Sequence, residues 1–246
     1  MTDLTKARAE IPKFTDDKII LFNGPPRVGK DTVALVILDI LRQAYENYSG
    51  HFPERHALAA KLKNQVASIF NLPLSLIYTF EQDKGAPRKE FNGASFRDAC
   101  IFTAEKIMRP IFGRDIYVHY MLQSMQRSKR YVNLGERPPK YVYIVTDLGF
   151  DEELGHIGNY FTKENMLIIR MYSNTRNVSF KTDSRGYVNT TGYNTIDYYN
   201  DAILGTADSR AEIDNLYEKI YMFINNMLFT ETQDITFIPS SDLQDS

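Results

Sequence analysis

The chain commits itself to a fold class within fifteen residues near its start. Lys18-Ile19-Ile20-Leu21-Phe22-Asn23 is a compact apolar run of the kind that forms a strand buried on both faces of a parallel sheet. Gly24-Pro25-Pro26-Arg27-Val28-Gly29-Lys30-Asp31-Thr32 follows, and then an apolar stretch from Val33 to Arg42 that is long enough for a buried helix. Two glycines five apart, with a lysine directly after the second, between a strand and a helix, form the P-loop arrangement. Gly24 and Gly29 let the backbone curl so that successive N–H groups converge on phosphate oxygens. Lys30 adds a mobile charge, and the helix N-terminus adds its dipole. The expected contacts of a bound polyphosphate are Gly24, Arg27, Val28, Gly29, Lys30, Asp31 and Thr32. Asp31 stands where most such loops carry a Ser or Thr for Mg²⁺. A carboxylate takes that task directly or through water, leaving Thr32 to meet a phosphate oxygen from the first helical turn. The ordinary alternative is a glycine-rich turn with a surface lysine.

The expected architecture is α/β: a P-loop NTPase-like parallel sheet flanked by helices, with a helical acceptor-binding insertion and a lid-like segment. Residues 1–17 read as a flexible leader, 18–229 as the main domain and 230–246 as an acidic tail. Leu58, Leu62, Val66, Ile69 and Phe70 recur at helical spacing between Ala57 and Leu72. Thr79 to Gly93 is polar and punctuated by Gly85, Pro87 and Gly93, as in a loop. A further helix is predicted from Ser95, a good N-cap, to about Phe112, and another from Asp115 to about Gln126. Together these place a helical region at about 57–126. Tyr141 to Thr146 and Met166 to Met171 are the next strands, and Ala211 to about Phe229 the last helix. Between 172 and 200 the chain is rich in Asn, Thr, Ser, Gly and Tyr, and is long for a plain connection; it reads as a lid or irregular insertion.

Composition narrows the function classes. Lys+Arg total 29 against 31 Asp+Glu, a net charge of −2, which gives no general electrostatic grip on a nucleic acid polymer or a membrane. Cys100 is the single cysteine, so an internal disulfide framework and a Cys-rich metal site are excluded. It reads as a small buried hydrophobe in a reducing compartment. No apolar run approaches the roughly 20 residues that span a bilayer. Met1 to Lys6 carries no apolar signal core, and the expected location is cytoplasmic. His51, His56, His119 and His156 have no metal-ligand spacing, and there is no Gly-x-Ser-x-Gly nucleophile signature. Nothing in the sequence sets the oligomeric state, which leaves room for a homodimer.

Gly29-Lys30-Asp31-Thr32 resembles the loop ending of the deoxynucleoside monophosphate kinases of tailed bacteriophages. The resemblance continues in Ala60-Lys61-Leu62-Lys63, in Ile69-Phe70-Asn71-Leu72 and in the run from Phe96 to Arg109, with arginines near both ends and Thr103-Ala104-Glu105 in the middle. Gly113-Arg114-Asp115-Ile116-Tyr117-Val118 is similar to the family's next segment, with tyrosine for tryptophan. The likeness covers roughly residues 18 to 155 and, more weakly, Tyr199 to Glu218. Two departures stand out. The family's second strand ends in Asp-x-Arg, where this chain has Asp147-Leu148-Gly149, and the family's late His-x-Ser-Glu pattern is absent.

The resemblance implies a kinase using ATP and Mg²⁺ to convert deoxynucleoside 5′-monophosphates to diphosphates, in the host cytoplasm if phage-encoded. Catalysis of this kind is positioning and charge neutralisation. Lys30 would bridge the β- and γ-phosphates. Asp147, ending a central strand beside the loop, would be the second acid for the metal with Asp31; its alternative is a strand-end turn former. Lys63, Arg97 and Arg109 are the candidates for the acceptor phosphate, with Arg109 also catalytic. Arg97 and Arg109 lie about 18 Å apart along a straight helix, so both reach one phosphate only if the helix breaks or a domain closes. Arg170, Arg176, Lys181 and Arg185 are the candidates for a lid residue. Two alternatives stay open: a small-molecule kinase for dephospho-coenzyme A or a phosphorylated metabolite, and a catalytically inactive nucleotide-binding sensor.

Overall fold

The computed structural model describes residues 11–44, 51–132, 140–176, 178–180, 185–201 and 207–225. The elements run β1 (Lys18–Asn23), α1 (Lys30–Ala44), β2 (His51–His56), α2 (Ala60–Ile69), α3 (Leu74–Gln82), α4 (Phe96–Phe102), α5 (Arg109–Phe112), α6 (Ile116–Val132), β3 (Lys140–Leu148), α7 (Asp151–Ile157), β4 (Met166–Tyr172), β5 (Asn194–Tyr199) and α8 (Ala207–Ile224). The strands form one five-stranded sheet in the order β2-β3-β1-β4-β5, with every neighbouring pair parallel. Helices cover both faces, as an all-parallel sheet requires.

Alternation along the strands sorts the core into two layers. Leu167, Ile169 and Met171 pack with Val33, Ile37 and Leu41 of α1 and Leu216 and Ile220 of α8. Met166 and Ile168 face the other way, onto Val118, Leu122 and Met125 of α6 and Leu154 of α7. β1 supplies residues to both layers and is buried along its whole length. The helical region from α2 to α4 has its own small core, in which Val66, Ile77, Phe80, Phe91 and Phe96 meet. Among the described residues no helix is long and apolar enough to cross a membrane.

Three expectations need correction. Residues 11–17 are not a loose leader. Phe14 is fully buried, stacked on Phe161 with ring centroids 4.7 Å apart and edge-on to Tyr143. Buried Asp17 accepts the Tyr141 N–H at 2.9 Å and the Lys129 ammonium. The segment is a strap across the sheet; residues 1–10 lie outside the described residues. The polar stretch from Thr79 is helical as far as Gln82 and becomes a loop only after it. Finally, the stretch 172–200 is not a lid or irregular insertion throughout: its residues Asn194–Tyr199 form a strand of the sheet. β5 pairs with β4 from Leu167↔Asn194 to Tyr172↔Tyr199, and Arg170 of β4 and Asp197 of β5 form a two-bond ion pair at 2.7 and 2.8 Å. The acidic tail at 230–246 and the lid candidate Lys181 lie outside the described residues.

Candidate phosphate loop and acceptor cavity

β1 ends in buried Asn23, and the loop that follows wraps the N-terminus of α1. Gly24 fits because the Met171 carbonyl oxygen of β4 would sit 2.7 Å from any Cβ there. Gly29 adopts φ +98°, a left-handed conformation, and a Cβ on it would lie 2.4 Å from Asn200 Nδ2. Between them Arg27 holds φ +66°, an unfavourable conformation for a side-chain-bearing residue and the kind of strain concentrated at binding loops. Lys30 Nζ donates to the carbonyls of Gly24 at 2.6 Å and Pro25 at 2.8 Å, which keeps the ammonium inside the curl of the loop.

Asp31, in the first turn of α1, does not stand alone. Thr146 Oγ1 of β3 donates to its Oδ1 at 2.8 Å, and Arg55 of β2 pairs with the same oxygen. The Asp31 side chain is nevertheless 70% exposed. A Mg²⁺ ion on a phosphate loop takes most of its ligands from phosphate and water, so one accessible carboxylate is enough from the protein. Among the described residues no group of three or more His, Cys, Asp or Glu side chains is placed to hold a metal ion. The loop and Asp31 therefore fit ATP–Mg²⁺.

Asp147, expected as the second acid for the metal, is engaged at both oxygens by backbone N–H groups. Its Oδ1 accepts the Leu58 N–H and its Oδ2 the Ala59 N–H, each at 2.8 Å, so both oxygens cap the head of α2. The residue joins the end of β3 to the helical region, and its contacts are those of a helix cap.

A cavity of about 900 Å³ opens beside these residues, bounded by the head of α2, the run from Phe96 to Arg109, Asp147, Phe150 and Arg185. It brings together Lys63, Arg97 and Arg109, the three residues proposed for an acceptor phosphate. The helix that carries the two arginines is continuous but widens between α4 and α5, where Thr103 to Met108 form a π-helical segment, a feature frequent at functional sites. Ser95 starts this run with a full capping box, its Oγ accepting the Asp98 N–H at 3.1 Å. Arg97 is exposed. Arg109 is largely buried: its guanidinium lies over the Phe150 ring at 4.9 Å and is shared between Glu105 and, at 3.5 Å, Glu153. Lys63 is paired with Glu81.

Sequence reasoning missed Glu153. It is buried on the first turns of α7, where Oε2 accepts the Gly149 N–H at 3.1 Å. Burial pushes its carboxyl up to about 7, with nearby Asp147 adding to the shift. Burial likewise pushes the Cys100 thiol up to about 11; the residue is half-buried, packed against the small core of the helical region.

The three described lid candidates separate in space. Arg170 is committed to Asp197. Arg176 reaches the phosphate loop, with Nη1 3.5 Å from the Val28 carbonyl, where Asn200 Nδ2 donates at 2.7 Å. The turn carrying Arg176 is fixed by Asp201, which accepts from Ser173 Oγ at 2.9 Å and the Asn174 N–H at 2.6 Å. Arg185 lines the acceptor cavity instead. Asp201, Asn200 and the turn at 173–176 carry no sequence signal of their own.

No family model and no curated protein matches the chain. Among solved structures, a gluconokinase from Sinorhizobium meliloti 1021 aligns over 85% of this chain and 98% of its own, at 9% identity and a TM-score of 0.35. The resemblance to phage kinases accordingly stands on the quoted motifs alone.

Proposed function

We propose that this chain is an ATP-dependent kinase of a small phosphorylated acceptor, with deoxynucleoside 5′-monophosphates as the acceptor class. One observation carries the reading. Asn23 of β1 pairs in register with Leu148 of β3, so the phosphate loop and the cation-lined cavity leave the sheet from adjacent strand ends. Donor and acceptor sites side by side at the carboxyl ends of central strands are what in-line phosphoryl transfer requires.

ATP–Mg²⁺ supplies the transferable phosphoryl group and neutralises part of its charge. The remaining work falls to the chain. The loop amides from Gly24 to Lys30 hold the polyphosphate, and the N-terminus of α1 favours its charge. Lys30 turns its ammonium from the Gly24 and Pro25 carbonyls onto phosphate oxygens. Asp31 offers its exposed carboxylate to the metal, with Thr146 orienting it. Arg176, poised at the Val28 carbonyl, adds a guanidinium on the donor side. Across the cavity Arg97, Arg109 and Lys63 receive the acceptor phosphate, Arg109 being aimed by Glu105 and Glu153.

The deoxynucleotide acceptor is supported by the sequence resemblance and by the cavity's cations. The test is to mix the protein with ATP, Mg²⁺ and each of the four common deoxynucleoside monophosphates, following ADP and diphosphate. Product with at least one acceptor, lost in Lys30→Ala, supports the reading. ATP binding with no product from any of them overturns the acceptor assignment. A panel including dephospho-coenzyme A and phosphorylated metabolites then separates another acceptor from a nucleotide sensor.

A further inference from the structure

Gly149 directly follows β3, and nothing in its backbone demands glycine: its φ lies outside the left-handed region. Space demands it. A Cβ at this position would sit 2.3 Å from Arg185 Cδ, 2.6 Å from Cγ and 3.1 Å from Cβ. These atoms are the stem of the side chain, not its free end, so Arg185 lies where a side chain at 149 would be. From there it lines the cavity that also holds Arg97 and Arg109.

The stem is held in place by a staple at the centre of the sheet. Fully buried Asn23 donates its Nδ2 to the carbonyls of Leu148 and Gly186, both at 3.0 Å, and its Oδ1 accepts the Val188 N–H at 3.2 Å. The Gly186 N–H donates to the Gly149 carbonyl at 3.3 Å, and Tyr187 Oη to the Met171 carbonyl at 3.0 Å. Residues 186–188 are thereby locked across the ends of β1 and β3, and the residue before them is Arg185. The cavity thus receives one forked cation from the sheet end and others from the helical run, the arrangement needed to grip a phosphate from two walls.

We propose that Arg185 is the anion anchor of the acceptor cavity, binding the phosphate monoester of the acceptor, and that Gly149 is glycine to admit its stem. This rests on the reading of the cavity as the acceptor site. Arg185 is a binding residue on this account, and Gly149 acts only through it.

The test measures, by calorimetry, binding of each of the four common deoxynucleoside monophosphates, of the matching unphosphorylated nucleosides, and of ATP. The proteins are the wild type, Arg185→Ala, Arg185→Lys, Gly149→Ala and the Gly149→Ala/Arg185→Ala double variant, each checked for an unchanged circular dichroism spectrum. The expected result is that monophosphate affinity falls about tenfold or more in Arg185→Ala, while nucleoside and ATP affinities hold. Gly149→Ala gives a similar loss, the double variant is no worse than either single, and Arg185→Lys recovers part of the affinity. Unchanged monophosphate affinity in Arg185→Ala overturns the proposal, as do additive losses in the double variant or no monophosphate binding by the wild type. A wild type that binds monophosphate through Arg185 yet never phosphorylates it leaves this anchor standing and overturns the kinase reading. Phosphorylation with an unaffected Arg185→Ala does the reverse.

Discussion

Thr146 Oγ1 donates a hydrogen bond of 2.8 Å to Asp31 Oδ1, tying the third strand to the acid that follows the phosphate-loop lysine. The loop has an acid where a hydroxyl is usual, and the neighbouring strand supplies a hydroxyl to orient it. Asp31→Ala should raise the Mg²⁺ concentration needed for half-maximal transfer by about tenfold or more, with the fold intact. Thr146→Val should do the same more weakly, destabilising the protein by about 1 kcal/mol through the lost bond. Magnesium titrations of the initial rate, with melting curves beside them, check both.

Lys30→Ala should reduce transfer by roughly a hundredfold or more, because an ammonium acting on developing phosphate charge has no substitute on the loop. Among its native contacts are two carbonyls of the loop itself, and thermal stability should change little. Single-turnover rates set against the melting temperature separate the two effects.

Gly29→Ala should destabilise the protein by about 1–3 kcal/mol and weaken ATP binding. The cause is double: φ of +98° strains any Cβ, and the new methyl would press on Asn200 Nδ2 and Arg176 Nη1. Denaturant unfolding and ATP titration read the two consequences.

Glu153 has its carboxyl lifted by burial from 4.5 to about 7 in the folded protein. The folded state therefore prefers the protonated acid, and stability is lost as pH rises from about 4.5 to 7, by up to about 3 kcal/mol. Glu153→Gln keeps the shape without the charge. The variant should match the wild type below pH about 4.5 and melt progressively higher than it through the window up to pH about 7. A constant difference across that range would count against the shifted carboxyl.

Phe14→Ala should cost about 3–5 kcal/mol, the range for deleting a fully buried ring, although the residue precedes the first strand. Urea unfolding checks it, and a change of only a few tenths would return residues 11–17 to the status of a leader.

What the sequence made legible was whatever repeats locally. The buried strand, the glycine loop and the helix after it are contiguous, and the structure has them at Lys18–Asn23, Gly24–Gly29 and Lys30–Ala44. The edge strands were not legible. β2 reads His51-Phe52-Pro53-Glu54-Arg55-His56, polar and broken by a proline that only an edge strand tolerates. β5 buries just Ile196 and Tyr198 on one face, too short an alternation to stand out in an Asn-rich stretch. The site divides the same way. Arg97, Arg109 and Lys63 were identifiable by residue type near a motif, and the cavity does bring them together. Arg185 over Gly149, and Asp147 capping α2, are relations between distant segments that no local pattern encodes.

The π-helical segment from Thr103 to Met108 has an implication for how this architecture could diversify. Such a segment holds one residue more than an ordinary helical ladder accommodates. Removing a single residue within it would let the helix close as an ordinary α-helix while everything downstream keeps its rotation about the axis, because the wide turn already absorbs the extra residue. Arg109 would stay against Glu153 and Phe150, and only the side chains inside the wide turn would change place, with no change to the phosphate loop. The cavity wall between Arg97 and Arg109 could therefore gain or lose one residue locally, a one-codon change that leaves Arg109 and the nucleotide-holding half of the protein in their original register.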